Sequence, residues 1–250
     1  MMKLHVMGII TVIALLLAAG CTADKQETST EVEIQTLTVM THDSFDVSAD
    51  LVAQFEREHQ AKIEFLQSGD AGQVLNTAVL QKANPLADVL YGVDNSFLGR
   101  ALAEGIFQPY VSGETAAIRE EIREYYRDER VTPIDYGDVC LNYDKAVVSS
   151  ESLPSLESLG DPAHKDQLVV MNPATSSPGL SFLLLTVGYF GEDGYLAYWQ
   201  SLKDNGVKIT SGWEDAYWGE FSAASEGERP IVVSYATSPA AEVYFSEGAL

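Results

Sequence analysis

Asn172-Pro173-Ala174-Thr175-Ser176-Ser177-Pro178-Gly179-Leu180 is the stretch whose residue types could do the most chemistry. Three hydroxyls stand where one apolar run (168–171) ends and a longer one (180–187) begins. That order predicts a strand, a tight turn and a helix, with Pro178 suited to the first helical position. The first turn of a helix carries unpaired N–H groups and a partial positive charge. Hydroxyls just ahead of that turn make a nest for a phosphate, a carboxylate or a hydroxyl tail. The same residues also read as an ordinary N-cap that binds nothing.

Other groups with chemistry fall at other strand ends. His42-Asp43-Ser44, Asp70-Ala71 and Asp94-Asn95 each follow an apolar run in the first half, and each carries an acid. In the second half, Trp213 follows one strand and Tyr235-Ala236-Thr237-Ser238-Pro239 closes another. Carboxylates facing an aromatic ring suit a cationic ring, through Coulomb attraction and a cation–π contact. Each Asp also reads as a plain helix cap. If the strands are parallel neighbours, their tips converge, and a ligand lies beyond their carboxyl ends.

The elements that must position these groups alternate between strand and helix. Strands are predicted at 36–40, 62–66, 87–91, 139–143, 168–171, 207–210 and 231–235 from short β-branched apolar runs. Helical spacing is present at 50–59, from Asp70 through Val79, at 96–104, 116–130, 195–205 and 214–221. The pattern predicts an α/β protein with mainly parallel sheets. Val131-Thr132-Pro133-Ile134-Asp135-Tyr136-Gly137 changes character and reads as a crossing between two lobes. The expected division is lobe 1 at 35–134, lobe 2 at 135–235 and a return crossing at 236–250. The chain stops at Ser246-Glu247-Gly248-Ala249-Leu250, where an element is starting rather than finishing.

The N-terminus reads as a targeting signal. Lys3 precedes an apolar core at 7–17 that is too short for a comfortable membrane span. It ends in Leu17-Ala18-Ala19-Gly20-Cys21, which resembles a bacterial lipobox with Cys21 as the lipidated residue. Residues 1–21 are thus expected to be a lipoprotein signal and 22–34 a polar tether. The globular part is expected outside the cytoplasmic membrane, anchored through Cys21. With Cys21 assigned to lipid, only Cys140 remains, so no internal disulfide forms, and the four histidines lack metal-binding spacing. No cofactor is expected. The net charge of −22 disfavours nucleic acid and weakly favours a cationic ligand.

Six segments, in order, carry a resemblance to a family. They are Thr41-His42-Asp43-Ser44-Phe45, Ala87-Asp88-Val89-Leu90-Tyr91-Gly92-Val93-Asp94-Asn95, Ile134-Asp135-Tyr136-Gly137, Thr175-Ser176-Ser177-Pro178-Gly179-Leu180, Gly212-Trp213-Glu214-Asp215-Ala216-Tyr217 and Ser234-Tyr235-Ala236-Thr237-Ser238-Pro239. Together they resemble the thiamine-binding proteins of bacterial ABC importers, within the type II periplasmic-binding superfamily. The resemblance implies a monomeric two-lobed clamp that closes on thiamine or its phosphates and delivers them to a membrane permease. It carries ligand contacts onto Asp70, Ala71, Ser176, Ser177, Trp213, Tyr235, Ala236, Thr237, Ser238 and Pro239, with Trp213 as the stacking ring. His42 stands where the family often has a ligand-facing Tyr, which weakens one stacking contact and adds a titratable group. Family members continue past residue 250, so a C-terminally truncated fold with exposed apolar surface on its first lobe is the expectation.

Two rival functions are weighed beside this one. Thiaminases of similar fold use a cysteine nucleophile, and Cys140 near the crossing is the one candidate. Its neighbours Asp135, Asp138 and Asp144 are acids, whereas a reactive thiolate needs a basic partner or a helix N-terminus. Sister proteins for ferric ion or polyamine are the other rivals. Tyr125-Tyr126 is an adjacent tyrosine pair of the ferric type, but it lies in a charged segment before the crossing.

Overall fold

The computed structural model describes residues 34–125 and 128–245. The signal, the lipobox with Cys21, most of the tether, the second member of the Tyr125-Tyr126 pair and the last five residues lie outside them.

The first half builds a parallel sheet. Strand β1 (Gln35–Thr41) runs into helix α1 (Ala49–His59), then β2 (Ala61–Gln67), α2 (Ala71–Leu80), β3 (Val89–Leu90) and α3 (Asn95–Glu104). The order is β2-β1-β3, with both pairings parallel. Parallel pairing sends every strand's carboxyl end to the same edge, which is where His42, Asp70 and Asp94 stand. Strand β3 is shorter than the apolar run 87–91 and forms a sheet edge, with Val89 and Leu86 exposed.

The charged segment 116–130 does not form the long helix its spacing suggests. Only a 3-10 turn at Thr115–Ala117 and the short α4 (Glu120–Tyr125) are helical among the described residues. Ile118 and Ile122 are its half-buried apolar anchors there, and two residues cannot hold four turns against a core.

The second half contains β4 (Val139–Tyr143), β5 (Leu168–Met171), α5 (Ser177–Asp204), β6 (Lys208–Thr210), β7 (Ile231–Tyr235) and α6 (Ser238–Phe245). Its order is β4-β7-β5-β6, parallel except for the β4–β7 pair. The core is dominated by β5 and β7, whose residues Val169, Val170, Met171, Val232 and Val233 are fully buried. Continuous apolar runs buried on both faces are the mark of a central strand. The two helices expected around 180–187 and 195–205 are contiguous, broken only by Gly191 at φ 73°. Leu180, at the start of α5, packs against the first-half cluster of Ala71, Leu75, Phe97 and Ala101. The two sheets therefore share apolar contact close to the Thr-Ser-Ser turn.

Segment 214–221 is helical, as its spacing indicates, but of the π type, at Asp215–Glu220. The Phe221 amide donates to the Ala216 carbonyl, five residues back. Widening the turn lets Trp213 and Tyr217 stack with ring centroids 4.7 Å apart and planes 17° apart. Such π-turns are often found at functional sites.

Candidate functional site

The Thr-Ser-Ser turn does not cap its helix by side chain. Ser176 is the N-cap of α5, yet no cap hydrogen bond is formed. The Ser176 and Ser177 hydroxyls are buried and have no partner. A buried hydroxyl without a hydrogen bond costs about 1–3 kcal/mol, so each of the two carries an unmet demand for a partner. The Ser176 side chain does not act as a cap of α5. Thr175 does a different job: its Oγ1 donates to the Ser211 carbonyl at 2.6 Å and ties the turn to the end of β6.

Helix α2 meets this turn from the other sheet. The Gly72 amide donates to the Thr175 carbonyl at 2.8 Å. A Cβ on Gly72 would sit 2.8 Å from backbone atoms of Ala174 and Thr175. Only glycine allows this approach.

Asp70 both caps and bridges. Its Oδ1 accepts from the Ala71 amide at 2.7 Å, inside a capping box completed by Gln73. Its Oδ2 accepts from the Trp213 amide, across from the other sheet, at 2.9 Å. Gly212 leaves room for it, since a Cβ there would lie 3.3 Å from the Asp70 Cβ. The structure thus brings Asp70 and Trp213 into direct contact. Asp94 is different: its Oδ1 accepts from Ser96 and Phe97 amides as a cap of α3. Asp43 is not a cap; its Oδ1 accepts from the Gly69 amide and joins the β1 and β2 loops.

Trp213 forms an aromatic wall with its neighbours. Tyr217 covers one face of its indole, and Trp218 stands perpendicular to both rings. The Tyr217 hydroxyl donates to Glu242 of α6. Tyr235 stands at the end of β7, where its carbonyl accepts from Asn142 Nδ2 at 3.1 Å. Burial first, and then the charges of Asp70, Asp94 and Asp135, push its phenol above its ordinary value. Burial, and then Asp43, Asp215 and Asp70, push the Glu214 carboxyl up as well. Six carboxylates, Asp43, Asp70, Asp94, Asp135, Asp215 and Glu214, thus lie close enough to Tyr235 or to one another to be felt electrostatically. Packing like charges this way is unfavourable unless a cation joins them.

The predicted contacts after Tyr235 divide. Ser238 is buried and its Oγ lies 2.9 Å from that of Ser234. Ala236 uses its amide on the Asp138 carbonyl, and Thr237 caps α6 through its own carbonyl. Those two and Pro239 are exposed at the approach to α6. Ala71 is buried in the first turn of α2.

Sequence reasoning gave His42 a ligand-facing place but did not read the aromatic cluster it joins. His42 lies 5.9 Å from Tyr91 and 6.3 Å from Phe45, centroid to centroid, and Phe45 lies 4.8 Å from Tyr91. Gly92, at φ 103°, makes room for the imidazole: a Cβ there would be 2.7 Å from His42 Cδ2. Tyr91 donates to Asp135 Oδ2 at 2.6 Å, joining the first sheet to the crossing. The signal for Asp135 was its place in the crossing, but its partner was not readable from spacing.

His42 leads to a prediction. Burial lowers its pKa below 6.5, against the opposing pull of Asp70, Asp135 and Asp43. In the unfolded chain it takes up a proton as pH falls through that value, while the folded form resists. Stability is therefore expected to decline as pH drops through about 6.5, and His42→Phe is expected to remove that part of the decline. Thermal melts of both proteins between pH 8 and 5.5 check this; identical pH profiles would contradict it.

Cys140 lies mid-strand in β4 and opens on an apolar groove lined by Leu141, Leu156, Phe182, Leu185 and Val233. Burial, and then Asp138, push its thiol up, the opposite of an activated nucleophile. Among the described residues no group of three or more His, Cys, Asp or Glu is placed to hold a metal ion.

Two α/β halves that meet at the Asp70–Trp213 and Gly72–Thr175 contacts, with acids and aromatic rings around them, have the build of a solute-binding protein. The chain belongs to the bacterial extracellular solute-binding proteins, whose family model matches residues 84–249. A thiamine-binding periplasmic protein of Brucella suis is 35% identical over 215 residues, 82% of this chain and 60% of that protein. Its counterpart in Escherichia coli is 32% identical over 210 residues, 82% of this chain and 61% of the other. A solved structure of a periplasmic thiamin binding protein matches with a TM-score of 0.70 at 28% identity, over 86% of this chain and 66% of that one. The fold is thus the two-lobed type II periplasmic-binding fold. The chain spans about 60% of the length of the curated relatives it matches.

Proposed function

We propose that this chain is the binding component of a thiamine or thiamine phosphate importer, and that it binds its ligand without transforming it. The observation that carries the reading is Asp70 joined to Trp213 beside two buried, unpartnered serine hydroxyls. Thiamine has a permanently cationic thiazolium ring, an aminopyrimidine ring and a hydroxyethyl tail. Tyr217 covers one face of the half-buried Trp213, and the other is assigned to an aromatic ring of the ligand. The six carboxylates attract the cation. Ser176 and Ser177 receive the hydroxyl or phosphate tail at the start of α5. The names of the relatives support the same ligand.

The lobes span 35–134 and 135–235, with 236–250 returning toward lobe 1. The three-stranded sheet falls within the first range and the four-stranded sheet within the second. The protein works as a monomer, anchored through lipid on Cys21, and hands its ligand to a permease. The raised pKa of Cys140 speaks against the thiaminase alternative.

Tryptophan emission during titration with thiamine tests the reading. Thiamine is expected to quench it, and Trp213→Ala is expected to weaken binding by about 1 kcal/mol or more, the scale of a desolvated cation–π contact. Unchanged affinity in that variant would remove Trp213 from the site. Base-exchange product formed from thiamine and an amine, and lost in Cys140→Ala, would overturn the binding-only reading.

A further inference from the structure

We infer that Ser234 is a positioning residue for the ligand platform, acting through Trp213 and supported by one face of α6. The inference rests on the cleft reading above. Stacking on Tyr217 fixes the tilt of the Trp213 ring, but not its rotation within its own plane. The indole N–H, a donor only, fixes that rotation. It donates to Ser234 Oγ at 2.8 Å. Ser234 lies on β7, between β4 and β5, and its backbone pairs with Cys140, so the acceptor is held by the centre of the sheet. Its hydroxyl is fully buried.

Ser238 stands 2.9 Å behind it, in the first turn of α6. A hydroxyl that donates to a second hydroxyl presents a more basic lone pair to the indole. Four residues further along α6, on the same face, Glu242 accepts from Tyr217. One helix face thus holds both rings of the stacked pair. With the Trp213 amide bound to Asp70, the six-membered ring of the indole is set at a fixed position relative to that carboxylate. A cationic ring is placed best when the electron-rich face and the carboxylate act on the same side. Ser238 accordingly supports the site from behind.

The indole N–H resonances of the ligand-free protein report on this directly. Three tryptophans give three such signals, and Trp213→Phe identifies that of Trp213. Ser234→Ala is expected to move the Trp213 signal and speed its solvent exchange, leaving those of Trp199 and Trp218 in place. The thiamine Kd is expected to rise about fivefold, the size of one neutral hydrogen bond. Ser234→Cys, a poorer acceptor, falls between, and Ser238→Ala gives a smaller shift in the same direction. In a Trp213→Phe background, Ser234→Ala adds no further loss. A Trp213 signal unmoved in both Ser234→Ala and Ser238→Ala overturns the inference, as does an undiminished loss in the Trp213→Phe background. If Ser234→Ala does not fold, Ser238→Ala and Ser234→Cys decide the matter. Absence of thiamine binding in the wild type would refute the ligand, while the ligand-free signals would still judge the positioning role.

Discussion

Asp70→Ala is expected to lose most affinity for thiamine and a measurable part of the fold's stability. The side chain caps α2 and accepts the Trp213 amide from the opposite sheet. Loss of an N-cap costs about 1 kcal/mol, and a hydrogen bond to a charged group about 1.5–3 kcal/mol. In a domain of this size each kcal/mol lowers the melting temperature by about 2–4 °C. Asp70→Asn removes the charge and leaves one acceptor where two are used. Its amide oxygen replaces either Oδ1 or Oδ2, and its NH2 then faces the other donor, the Ala71 or the Trp213 amide. Stability is therefore expected to fall by about 1–3 kcal/mol, the cost of one unsatisfied donor, while affinity for the cation falls about tenfold or more. Calorimetry and thermal melts on both variants check this. If Asp70→Asn binds thiamine as tightly as wild type, the carboxylate does not act on the ligand.

Gly72→Ala is expected to weaken binding for a steric reason. The added Cβ would meet Ala174 and Thr175 backbone atoms at 2.8 Å, and backbone cannot swing aside. Overpacking of this kind costs about 1–3 kcal/mol. Alanine favours a helix over glycine by about 0.5–1 kcal/mol, so α2 itself gains. The clash is most easily relieved by separating the two halves, which opens the cleft. The expected signature is a Kd about tenfold higher with little change in helix content by circular dichroism. Unchanged affinity would mean that the contact between Gly72 and Thr175 is not needed for closure.

Much of the fold was legible in the sequence, for a physical reason. Strands β4, β5 and β7 begin and end where their apolar runs do. Both β5 and β7 are buried almost throughout, so composition and position agree. The charged segment 116–130 misled because periodicity without buried area does not hold a helix. Helix α6 was missed because Ala236-Thr237-Ser238-Pro239 read as the end of a strand, though Pro239 in a first turn was a usable sign. The π-turn after Trp213 could not be read, because it depends on how two rings stack.

The site was legible in outline only. Strand-end logic pointed to Asp70, Trp213 and the Thr-Ser-Ser turn as neighbours, and Asp70 and Trp213 do touch. The sequence could not distinguish a cap from a ligand hydroxyl at Ser176. The Ser176 hydroxyl makes no cap hydrogen bond here, and no spacing in the sequence shows that. Ser234 and Glu242 carried no local signal, and Asp135 only its place in the crossing, since their partners lie 21, 25 and 44 residues away in the chain.

Isothermal calorimetry of the wild-type chain against thiamine, thiamine monophosphate, thiamine diphosphate and spermidine tests the central claim most directly. Saturable one-to-one binding of at least one thiamine form, tighter than spermidine, is the predicted result. Binding of spermidine alone, or of none of the thiamine forms, would contradict it.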